Sequence, residues 1–147
     1  MAAGTPQVVC TILLWAAAML PAAAADQPGT ECAGYPATVI GTAGDDRLEG
    51  TPGNDVIVAL GGKDTIAAGP GDDLVCAGPG NDLVSGGAGA DTLLGAGGDD
   101  FLNGDDGPDR LSGGPGADLL VGVRGDDVIL GGRGDDVLRG GAGADHL

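Results

Sequence analysis

From residue 41 onward an aliphatic side chain returns at every ninth position: Leu48, Ile57, Ile66, Val75, Val84, Leu93, Leu102, Leu111, Leu120, Ile129, Leu138 and Leu147. This spacing fits neither a helix of about 3.6 residues per turn nor a long alternating strand. Each aliphatic residue is the centre of a short run such as Val56-Ile57-Val58, which reads as a three-residue strand with one side chain facing inward. The six residues between runs are rich in glycine, whose tolerance of positive φ suits a tight turn. The pattern therefore predicts one turn and one short strand per unit. Two units make a coil, and coils stack as parallel strands about 4.8 Å apart. Eighth-position residues of odd and even units then face each other across a thin core. The predicted class is all-β, a parallel β-roll (β-solenoid).

On this register the chain reads as twelve units without insertion, beginning GTAGDDRLE and GTPGNDVIV and ending GGAGADHL. The fourth position is glycine in every unit, from Gly44 to Gly143, and the first is always Gly or Ala. The sixth is aspartate in every unit: Asp46, Asp55, Asp64, Asp73, Asp82, Asp91, Asp100, Asp109, Asp118, Asp127, Asp136 and Asp145. Departures cluster in the other glycine columns. Ala59, Ala68 and Ala77 replace the first glycine, while Leu60, Ala96, Asp105 and Val123 replace the second. Side chains at either position resist positive φ, so sites using those turns are expected to be distorted or weaker. Lys63 places a cation on one turn, Pro108 stiffens another, and Thr42 and Thr51 make the first two units irregular. Asp73 to Asp136 lie on the more regular turns.

Charge turns the pattern into chemistry. The chain has 22 acidic and 6 basic residues, a net charge of −16, which excludes nucleic-acid binding through a basic patch. Stacking brings aspartates of units n and n+2 to about 4.8 Å, where two charges repel by about 3–4 kcal/mol at an effective dielectric near 20. Against this stand only mid-size aliphatics at about 2 kcal/mol each. Each ordered residue costs roughly 1–2 kcal/mol of backbone entropy. The cation-free chain is expected to be unfolded or loosely collapsed. Calcium is the cation that suits the donors: it accepts six to eight oxygens at about 2.3–2.6 Å with tolerant geometry. Magnesium demands a tighter octahedron, and transition metals prefer nitrogen or sulfur. His146 is the sole histidine.

Residues 1–25 read as a cleaved export signal, the alternative being an uncleaved membrane anchor. Val8 to Leu20 is mostly apolar but short of the roughly 20 residues of a spanning helix, and Ala23-Ala24-Ala25 fits a small-x-small cleavage site. No Lys or Arg precedes the apolar run, a departure from strong signals. The expected destination is extracellular. Residues 26–40 lack the repeat and are expected to cap it. Cys32 and Cys76 remain after cleavage; an even pair in an exported chain reads as a disulfide, the alternative being two free thiols.

The units resemble the RTX (repeats-in-toxin, hemolysin-type) calcium-binding nonapeptide GGxGxDxUx, with U aliphatic, over residues 41–147. The resemblance implies a β-roll that is disordered without calcium and folded with it. It also implies that each ion lies between turns n and n+2, held by turn carbonyls and the sixth-position aspartates. Asp46 would share an ion with Asp64, Asp55 with Asp73, and so on to Asp127 with Asp145. Six turns on each side give at most five sites a side, about ten calcium ions in all.

Catalysis has no visible apparatus: HExxH and GxSxG are absent, and Ser85 and Ser112 fall in strands far in sequence from His146. The reading is a secreted calcium-binding protein, not an enzyme, with no nucleic-acid or firm membrane partner. Two alternatives stand beside it, the detached repeat region of an RTX exoenzyme and a calcium-dependent surface adhesin. The Arg-Gly-Asp triplets at 124–126 and 133–135 arise from the register. Val56, Val58, Leu74, Leu94, Val128 and Leu130 point outward on even units. They read first as ordinary strand-forming residues, the alternative being a self-association face, which the C-terminal end of the stack also offers.

Overall fold

The computed structural model describes residues 30–147; the expected export signal lies outside them. A glycine-rich chain with one large apolar residue in nine cannot fill a thick core, and the solution here is a flattened coil. Strands β1 (Glu31–Cys32), β2 (Tyr35–Pro36) and β3 (Val39–Ile40) precede the repeats. The repeats then supply β4 (Arg47–Glu49), β5 (Val56–Val58), β6 (Thr65–Pro70), β7 (Leu74–Pro79), β8 (Leu83–Ala88) and β9 (Thr92–Gly97). They continue as β10 (Phe101–Asp106), β11 (Arg110–Pro115), β12 (Leu119–Arg124), β13 (Val128–Arg133) and β14 (Val137–Ala142).

Two six-stranded parallel sheets result, one ordered β14-β12-β10-β8-β6-β4 and the other β13-β11-β9-β7-β5-β3. The register advances by two units per coil: Leu102 pairs with Val84 on one side and Leu120 on the other. Odd units build one sheet and even units the other, as the nine-residue period predicts.

The strands are longer than the sequence suggests. From β6 onward they run six residues, through the first three positions of the following unit. The turn proper is correspondingly shorter. Within each long strand two side chains face inward, the eighth-position aliphatic and the first-position residue of the next unit. Ala59, Ala68 and Ala77 therefore belong to the core with Ile57, Ile66, Val75, Val84, Leu93, Leu102, Leu111, Leu120 and Ile129. None of the three takes a positive φ, so the distortion expected of them as departures from glycine does not arise; they are core methyls.

The expected distortion at the second position is not what the chain adopts. Leu60, Ala96, Asp105 and Val123 take φ of 79°, 81°, 74° and 86°, beside 108° at Gly69 and 103° at Gly78. The stacked neighbours over-determine the turn, and each residue carries the local strain of about 1–2 kcal/mol that a left-handed conformation costs.

β1 and β2 form an antiparallel hairpin, and β3 pairs with β5 as an edge strand. The hairpin is bonded by the Cys32–Cys76 disulfide to a ninth-position, outward-facing site on β7. Val58, at the ninth position of its unit and expected to face outward, is instead buried, because β1 packs against β5 there. The segment thus covers the side of one sheet as well as its end. Leu130 is exposed as expected of the even-unit face, but the odd-unit sheet also carries an apolar row, Leu83–Phe101–Leu119–Val137, in adjacent strands.

Candidate metal centre

Stacking fixes the sixth-position aspartates through their own main chain. Each backbone N–H donates to the Oδ1 of the aspartate two units later, at 2.8–3.1 Å. The pairs on the odd side are Asp46→Asp64, Asp64→Asp82, Asp82→Asp100, Asp100→Asp118 and Asp118→Asp136. Those on the even side are Asp55→Asp73, Asp73→Asp91, Asp91→Asp109, Asp109→Asp127 and Asp127→Asp145. The twelve aspartates thus form two columns, one along each edge of the roll. Those from Asp55 to Asp127 are almost wholly shielded from solvent.

Each carboxylate has a second oxygen. In Asp64, Asp73, Asp82, Asp91, Asp100, Asp109, Asp118 and Asp127 the Oδ2 is buried with no hydrogen-bond partner. A buried polar atom without a partner costs about 1–3 kcal/mol, and more when charged. Eight in two columns constitute a demand for positive charge. Burial raises the carboxyls of Asp64, Asp73, Asp82 and Asp118; the backbone N–H bond opposes this, and neighbouring aspartates add to it. Asp91 and Asp100 are pushed up to about 6 and Asp109 to about 7, with the same order of causes.

From the sixth unit onward the first-position glycine supplies the space, whereas Ala59, Ala68 and Ala77 put a methyl at that point in the units of Asp64, Asp73 and Asp82. A Cβ placed on Gly86 would meet Asp91 Oδ2 and lie 2.9 Å from the carbonyl oxygen of Gly104. The same cradle recurs at Gly95, between Asp100 Oδ2 and Gly113 O, and at Gly104, between Asp109 Oδ2 and Gly122 O. Two acceptors border each cradle, and no hydrogen-bond donor reaches the Oδ2. A proton or a cation resolves that arrangement. Among the described residues no three acidic, thiol or imidazole groups converge on one point. A bound cation would therefore draw on main-chain carbonyls as well as carboxylate, a donor set of hard oxygens that fits calcium.

The first two units differ. Asp46 Oδ2 accepts from the Thr42 N–H at 2.5 Å and the Thr42 hydroxyl at 2.9 Å. Asp55 Oδ2 accepts from the Thr51 N–H at 2.6 Å and the Thr51 hydroxyl at 2.9 Å. The sequence marks both threonines as irregular without disclosing this pairing, although Thr four residues before Asp across a turn is a legible signal.

A second ladder is not apparent from the sequence pattern. Fifth-position side chains accept from the fifth-position N–H two units later: Asp45 from Lys63, Asn54 from Asp72, Asp72 from Ala90, Asn81 from Asp99, Asp99 from Ala117 and Asp126 from Ala144. It runs opposite to the sixth-position ladder and is exposed. Pro108 falls two units after Ala90, which offers no side-chain acceptor, so its missing N–H removes no rung.

A sequence model of the RTX calcium-binding nonapeptide repeat, four copies long, matches residues 40–75, 77–111 and 112–147. No curated protein matches the chain.

Proposed function

The chain belongs to the RTX calcium-binding nonapeptide repeat family, a membership that implies calcium binding by a β-roll, and we propose that it is an exported protein whose roll folds on calcium. The observation that carries the reading is the set of eight buried, partnerless Oδ2 atoms in register along the two edges. Asp64, Asp73, Asp82, Asp91, Asp100, Asp109, Asp118 and Asp127, with Asp136 and Asp145 closing the last turns, would hold the ions together with turn carbonyls. Bound calcium would supply the positive charge that cancels repulsion along each column. The chain's own residues do the rest: first-position glycines leave cradles open beside Asp91, Asp100, Asp109, Asp118 and Asp127, and the N–H ladder fixes each carboxylate.

Export is supported by the apolar run before residue 26 and by the Cys32–Cys76 disulfide, a bond that persists in oxidising compartments. Residues 26–40 would act as the cap and residues 41–147 as the calcium-binding unit. Low intracellular calcium would keep the chain unfolded before export. The role is binding, not catalysis.

Isothermal titration of the chelator-treated protein tests the reading. Several calcium ions are expected to bind per chain, with magnesium at the same concentration leaving the calcium isotherm nearly unchanged. A chain that takes up no calcium, or that magnesium saturates equally well, would overturn it.

A further inference from the structure

The first two turns depart from the other ten in three separate features. Units three to twelve all place a positive φ at the second and fourth positions, as at Gly69 and Gly71 or Asp105 and Gly107; Thr42, Gly44, Thr51 and Gly53 do not. The strands that close units one and two, β4 and β5, stop after three residues. Thr42 and Thr51 each give a carboxylate oxygen two donors, a service no other unit provides. At Asp55 the remaining oxygen is taken as well, because the Thr38 hydroxyl donates to Oδ1 at 3.0 Å while accepting from the Val56 N–H. Asp55 is thus buried with both oxygens satisfied inside the protein.

We propose that Thr42 and Thr51 replace calcium at Asp46 and Asp55, making the first coil a metal-independent starter for the calcium-dependent coils. A cation at either turn would have to displace an N–H and a hydroxyl from the same oxygen. It would also meet a turn whose carbonyls are not aimed by the positive-φ pair. The starter is joined to units three and four. The Asp46 N–H holds Asp64 Oδ1 and the Asp55 N–H holds Asp73 Oδ1, so the first partnerless carboxylate of each column is already oriented. The disulfide encloses residues 32–76, which contain both threonine turns and the first two metal-demanding ones. The inference rests on the calcium-binding function proposed for the roll and gives the reason that Asp46 and Asp55 stand outside its ligand set. Asp64 to Asp127 supply the eight carboxylates with a buried, partnerless oxygen.

Calcium stoichiometry by equilibrium dialysis of the oxidised full chain separates the possibilities. Asp46→Asn with Asp55→Asn is expected to bind as many ions as the parent, whereas Asp91→Asn with Asp109→Asn loses at least two. Loss of ions from the first variant, folded in calcium, overturns the inference and leaves the calcium function standing. No calcium bound by the parent overturns the function and this inference with it. Should the first variant fail to fold, hydrogen exchange of the parent in excess chelator decides. Amides of residues 41–58 are expected to exchange at least about tenfold more slowly than the unfolded-chain rate, and those of residues 86–127 close to it. Thr42→Gly with Thr51→Gly removes that protection. Residues 41–58 exchanging at the unfolded rate in the parent overturn the starter.

Discussion

The turns at Asp46 and Asp55 and those at Asp91 and Asp109 set a carboxylate at the same point of the same nine-residue register. The first pair closes it with threonine donors, and the second leaves one oxygen buried without a partner. The threonine solution is self-contained but gives up the positive-φ turn and the six-residue strand found in later units. The open solution gains sheet length and depends on an external charge. A repeat protein of stacked units folds by propagation from neighbour to neighbour. One coil that needs no ion, next to others that do, places the start of that propagation at the N-terminal side.

The largest expected effect is the pH response of the open region. An aspartate raised above its ordinary value of 3.8 holds its proton more tightly folded than unfolded. In chelator, that stabilisation is complete below the unfolded value and is lost as pH rises through about 6 at Asp91 and Asp100 and about 7 at Asp109. Circular dichroism of the calcium-free chain should show more β-structure at about pH 4 than at about pH 8. With calcium present, acidification over the same window should weaken calcium binding to the folded roll, because proton and ion compete for one oxygen, while lowering the calcium needed to reach the folded state. A calcium-free spectrum unchanged across the window would break the comparison.

Removing the disulfide by Cys32→Ser with Cys76→Ser tests the starter from outside its turns. The bridge spans 44 residues, and a loop of that size predicts a cost of about 4 kcal/mol from chain entropy. The expected outcome is a large fall in thermal midpoint in calcium and a higher calcium midpoint for folding. Gly104→Val acts on the open region only. Its Cβ would meet Asp109 Oδ2 and stand 3.0 Å from the Gly122 carbonyl oxygen, and overpacking of this kind costs about 2–3 kcal/mol. Weaker calcium binding should accompany the lower melting temperature. Thr38→Val is the smallest: it deletes the donor to Asp55 Oδ1 and should cost about 1 kcal/mol, read by chemical denaturation.

Much of the architecture was legible because the period is a strong constraint. The eighth-position column predicts both sheets and their register, and the sixth-position column predicts two aspartate rows. What escaped depends on side chains answering the main chain. The first-position column reads as turn glycine, yet in β6 to β14 it lies inside the strands, where a methyl packs or a carboxylate takes the room. Leu60, Ala96, Asp105 and Val123 read as obstacles because residue preference opposes positive φ; stacking on both sides overrides it. Thr42 and Thr51 read as decay of the motif, since the donors they supply appear only when the turn closes on Asp46 and Asp55. The fifth-position ladder was hidden among residues that look like solvent-facing charge.

The central claim is that the partnerless carboxylates make the roll depend on calcium. Its most direct test is far-UV circular dichroism of the oxidised protein near neutral pH, first in excess chelator and then through a calcium titration. A mostly unordered spectrum that converts cooperatively to β-structure as calcium is added is the predicted result. A spectrum equally rich in β-structure with chelator and with calcium would contradict it.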